Sequence, residues 1–116
     1  MKAEIRVAAP SGQQAALDDW LGKPTSERRA VIAESGFAPL DAPANVPLTR
    51  LAPGCVCCVG QVPLRVTLTR TVRAHRPDRL LLLLASAQHL PRVLALLADG
   101  SLGVRFDVRV TEDRME

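Results

Sequence analysis

Gly54-Cys55-Val56-Cys57-Cys58 contains every cysteine of the 116-residue chain. Thiolates are soft ligands suited to zinc, copper(I) or cobalt, and three of them nearly complete a tetrahedral shell. A regular strand would send neighbouring side chains to opposite faces, so it would not gather the three sulfurs. A bend or helix start near Cys57 and Cys58 would gather them, and Gly54 and Gly60 supply the backbone freedom for it. The fourth position would fall to water, a carboxylate, a histidine or a partner protein. Two other readings stand beside metal binding: inert buried thiols inherited from an ancestor, and redox sensing by thiolates of lowered pKa. A resting disulfide between the adjacent Cys57 and Cys58 would need a strained ring. Neither His75 nor His89 has zinc-finger spacing to the cysteines. His75 reads instead as a helix-terminal or packed histidine.

The framework around these thiols must be an aliphatic core. Hydrophobic residues make up 47% of the chain, while the aromatic residues are only Trp20, Phe37 and Phe106. The net charge of +3 comes almost wholly from arginine and is diluted by twelve acids. With no set of aromatic platforms for stacking bases, no nucleic-acid partner is expected. The start, Met1-Lys2-Ala3-Glu4-Ile5-Arg6, lacks the apolar run of a signal peptide. The longest apolar stretch, Leu80 to Ala87, falls short of the roughly 20 residues that span a bilayer. The odd cysteine count leaves at least one thiol unpaired within the chain. The expectation is a cytoplasmic protein with no membrane partner.

Hydrophobic periodicity and breakers give the element order. A β-prone run at Ile5 to Ala8 ends at Pro10-Ser11-Gly12, and a helix from about Gln13 to Leu21 closes at Gly22 and Pro24. Arg29 to Ala33 predicts a buried strand. The stretch from Glu34 to Pro53 reads mostly as loop, with a short strand at Thr49 to Leu51. From Leu64 to His75 the spacing is helical: Leu64, Leu68, Thr71, Val72 and His75 form one stripe, and Arg65, Thr69, Arg73 and Arg76 another. The arginine stripe reads as a solvated face, with an acidic partner as the alternative. Arg79 to Ala85 predicts a strand buried on both faces. A helix at about Pro91 to Ala98 stops at Gly100, and Phe106 to Val110 makes a last short strand. The order predicts one α/β domain, residues 1–116, a three-layer sandwich with a mainly parallel sheet.

Leu51-Ala52-Pro53-Gly54-Cys55-Val56-Cys57-Cys58, then a helix, then Arg76-Pro77-Asp78-Arg79-Leu80-Leu81, resembles the CobW family of metal-handling GTPases. Ala30-Val31-Ile32-Ala33-Glu34 resembles that family's second strand, with Asp41 near its usual acidic position, and Ser86 through Val93 resembles the segment after its Walker B strand. The resemblance implies a P-loop-NTPase-like fold, zinc or a related soft metal on the cysteines, and Glu34 as a carboxylate ligand. It also implies GTP hydrolysis in the complete family, but the nucleotide machinery departs here. A working P-loop is Gly-x-x-x-x-Gly-Lys-Ser/Thr. The corresponding stretch is Val7-Ala8-Ala9-Pro10-Ser11-Gly12-Gln13-Gln14, in which only Gly12 survives. Gln13 stands in the lysine position, Gln14 in that of the magnesium-binding hydroxyl, and Pro10 removes an amide. Leu84 stands for the catalytic-strand glutamate and Ala87 for the switch glycine. No Asn-Lys-x-Asp motif occurs, and the family's C-terminal domain is not included in the chain.

Without lysine and magnesium ligand, phosphoryl transfer loses its main electrostatic stabilisation. The expectation is therefore a zinc-binding accessory protein with no nucleotide cofactor and no catalysis. Its ligands would be Cys55, Cys57 and Cys58, with Glu34 or an outside donor completing the site, and a shell left incomplete in one chain would be closed by a homodimer sharing the metal. Two alternatives remain open: an interaction module pairing with a complete homologue or another protein, its cysteines vestigial; and a GTP-binding protein with a non-standard phosphate site. For Ser11 and Gly12, a plain tight turn competes with an anion site at a helix N-terminus.

Overall fold

Five consecutive leucines, Leu80–Leu84, form the middle of the protein. In the computed structural model, which describes residues 1–22, 26–34, 40–51, 62–100 and 102–112, every one of them is buried. Side chains alternate along a strand, so a strand that is apolar throughout must be covered on both faces. The strands are β1 (Lys2–Val7), β2 (Arg29–Glu34), β3 (Leu48–Leu51), β4 (Arg79–Leu84) and β5 (Asp107–Glu112). They form one sheet in the order β3-β2-β4-β1-β5, with every pairing parallel. The helices are α1 (Gln13–Leu21), α2 (Val62–His75) and α3 (Leu90–Ala98).

Two hydrophobic clusters make the three layers. Leu80, Leu82 and Leu84 face one way with Ile5, Ala30 and Ile32, under Leu64 and Leu68 of α2 and Val93, Leu96 and Leu97 of α3. Leu81 and Leu83 face the other way with Val31 and Ala33, under Ala16 and Leu17 of α1 and closed by Leu40 and Val46. This is a P-loop-like three-layer α/β fold. On the α1 side, Arg6 donates to Glu4, to Asp19 Oδ2 at 2.8 Å and to the Ala16 carbonyl at 3.3 Å. Burial acts to lower the pKa of Arg6, but hydrogen bonds to and attraction by Glu4 and Asp19 raise it overall, so the guanidinium clamps α1 to β1 as a cation.

The elements differ from expectation mainly at their ends. β1 begins at Lys2 and β5 runs to Glu112, because Lys-Ala-Glu-Ile-Arg-Val and Asp-Val-Arg-Val-Thr-Glu alternate polar and apolar and so suit a strand covered on one side. α2 begins at Val62, two residues before the first stripe leucine. α3 carries Pro91 in its first turn, as expected, and the chain turns at Gly100, whose φ of +74° suits glycine. His75 ends α2 but is exposed, which corrects the packed reading. Arg73 and Arg76 are solvated, while Arg65 lies 3.6 Å from Asp99.

Candidate metal centre at the carboxyl edge of the sheet

Parallel strands end together, and in open α/β sheets ligands are taken up outside their carboxyl ends. Two stations lie on that edge. The first is the exit of β1. Pro10–Gly12 make a single 3-10 turn, closed by the Gly12 amide on the Ala9 carbonyl at 2.8 Å, which is the tight-turn reading. Gln13 follows, 1% exposed, and its Nε2 donates to the Ala8 carbonyl at 3.2 Å and the Glu34 carbonyl at 2.9 Å. Its Oε1 is buried with no hydrogen-bond partner among the described residues. Gln14 accepts from the Asp41 amide at 2.8 Å and donates to the Asp41 carbonyl at 3.1 Å. The two side chains in the lysine and hydroxyl positions of a P-loop are thus engaged with this chain's own backbone. Leu84, in the position of the catalytic glutamate, is 2% exposed in the apolar core.

The second station is the end of β2. Glu34 is its last residue and is 2% exposed. Alternation puts it on the same face as Ala30 and Ile32, the side covered by α2 and α3. Its Oε1 accepts the Ala85 amide, just past β4, at 2.9 Å. Its Oε2 lies 3.8 Å from His89 Nε2, and the His89 side chain is 15% exposed. His89 closes the 3-10 turn Ala87–His89, which starts where Ser86 Oγ accepts the Gln88 amide at 3.1 Å. Glu34 is therefore held at both ends, its carbonyl by Gln13 and its carboxylate by Ala85.

Cys55, Cys57 and Cys58 lie outside the described residues. β3, which leads to them, ends at Leu51, the residue paired with Glu34. Among the described residues, no group of three His, Cys, Asp or Glu side chains gathers in ion-holding geometry. His89 was discounted from sequence because cysteine spacing was the criterion. The available signal was Ser86, whose capping of a turn straight after β4 sends the next side chains over the carboxyl edge. A cleft of about 340 Å³ involving Glu4, Trp20, Arg79 and Arg109 includes the first residues of β1, β4 and β5, and so opens at the opposite edge of the sheet.

The chain is similar to a zinc chaperone. Over 82 residues it is 32% identical to zinc chaperone YeiR of Escherichia coli (strain K12), a match covering 71% of this chain and 22% of that protein. The similarity supports the CobW-like relationship read from the cysteine segment and the strand pattern. The chain spans little more than a fifth of the length of that relative. No family model and no solved structure matches it. Among the described residues, no helix is long and apolar enough to cross a membrane.

Proposed function

We propose that this chain handles zinc as a CobW-like accessory domain and does not hydrolyse GTP. Cys55, Cys57 and Cys58 supply three thiolates and Glu34 a carboxylate, a donor set suited to a tetrahedral zinc ion. The observation that carries this reading is the similarity to a zinc chaperone in a chain whose cysteines are confined to one five-residue segment. Chain length supports the joining of these ligands: Cys55 follows Leu51 by four residues, a reach of at most about 14 Å. The loss of hydrolysis is supported by the first station. Gln13 and Gln14 are tied to backbone groups, and neither offers the cation or the hydroxyl that phosphoryl transfer needs. Where Glu34 does not complete the shell, a second copy supplies the fourth donor, in a cytoplasmic setting that keeps thiols reduced.

The test is competition against a chromophoric zinc chelator under reducing conditions. The parent chain is expected to bind at least about 100-fold more tightly than the Cys55→Ser/Cys57→Ser/Cys58→Ser variant, because thiolate is the soft donor here. Equal affinities would remove the cysteines from the site. A steady release of phosphate from GTP and magnesium by the purified chain would refute the non-catalytic reading.

A further inference from the structure

We infer that Glu34 and His89 form a second donor pair able to hold a divalent cation of the zinc, cobalt or nickel class without any cysteine. The pair shares Glu34 with the proposed thiolate site, and its role as a zinc station rests on that reading. The geometry stands separately. A hydrogen bond would bring Nε2 and Oε2 to about 2.7–3.2 Å. Two donors sharing one tetrahedral zinc, at about 2.0–2.2 Å each, lie about 3.4 Å apart. The observed 3.8 Å is too long for the first and needs a closure of only about 0.4 Å for the second.

The surroundings suit a ligand pair. The Ala85 amide holds Glu34 Oε1, which turns Oε2 toward the imidazole, and the Gln13 amide fixes the carbonyl of the same residue. Orientation of a ligating carboxylate by hydrogen bonds of this kind is how outer groups strengthen a metal site. The carboxylate is 1% exposed and the imidazole 15%, so an ion enters past His89 and meets a carboxylate largely withdrawn from water. A desolvated carboxylate attracts a cation more strongly than a hydrated one. Imidazole nitrogen with carboxylate oxygen suits borderline divalent ions. Such a site binds weakly and exchanges fast, as a way-station should.

The chain has two histidines, and this makes the test direct. Long-range proton–nitrogen spectra of the triple Cys→Ser variant are recorded during titration with zinc chloride. His89 Nε2 is expected to shift at a zinc concentration about tenfold below that needed for the exposed His75, a difference of about 1.4 kcal/mol. Glu34→Gln keeps an acceptor for the Ala85 amide and removes the charge, so it should abolish that advantage. Equal responses of the two histidines, or a preference for His89 that survives in a folded Glu34→Gln variant, would overturn the inference. Should Glu34→Gln not fold, the comparison of His89 with His75 in the cysteine-free parent decides alone. The two proposals fail separately. Tight zinc binding by the parent with no His89 preference in the cysteine-free chain removes only this pair. A His89 preference with no gain from the cysteines removes only the thiolate site.

Discussion

The turn into α1 and the end of β2 are neighbours on one edge of one sheet, yet they have opposite chemistry. In the turn, Gln13 and Gln14 stand where a phosphate site needs a cation and a hydroxyl, and both are hydrogen-bonded to backbone groups of this chain. At the end of β2, Glu34 keeps a carboxylate aimed at an imidazole. The first station offers amides bonded to the backbone, and the second offers a carboxylate and an imidazole, groups that ligate metals. They are joined physically, because Gln13 holds the carbonyl of Glu34. Gln13 thus serves to position the neighbouring carboxylate.

The largest effect on stability should come from the floor both stations share. Leu82 is 1% exposed at the centre of β4, and Leu82→Ala should destabilise the domain by about 2–5 kcal/mol in urea denaturation. A loss well below that range would mean that β4 is not the common support, and the comparison would lose its basis. Gln13→Lys is the sharper and smaller test. It puts a charge where a neutral amide now bonds two carbonyls, and should destabilise by about 1–3 kcal/mol. It should also leave GTP with magnesium unretained in equilibrium dialysis, because Gln14 still lacks the hydroxyl and Pro10 the amide. Return of nucleotide binding by this one change would show that the first station is dormant rather than converted.

Much of this layout was legible in the sequence because periodicity reports burial. The leucine run of β4 and the stripe of α2 fixed the central strand and one covering helix. β1 and β5 were read too short, since Lys2, Glu4, Asp107 and Arg109 conceal strands that are apolar on only one side. Gln13 and Gln14 were legible as departures from the P-loop pattern but not as clasps, because their partners are backbone groups of Ala8, Glu34 and Asp41, which leave no mark in a sequence. The Glu34–His89 pair was hidden for a related reason. The two residues lie 55 positions apart and meet only because β2 and β4 are adjacent in the sheet. The cysteines were the clearest chemical signal in the sequence, and they lie outside the described residues.

The central claim, a soft-metal site without a nucleotide motor, is tested most directly by elemental analysis of the reduced protein purified without chelator. The account predicts zinc at about one ion per chain, or about one per two chains where a pair of copies shares it, and a marked fall in the triple Cys→Ser variant. Protein that carries no zinc and takes none up on addition would contradict it.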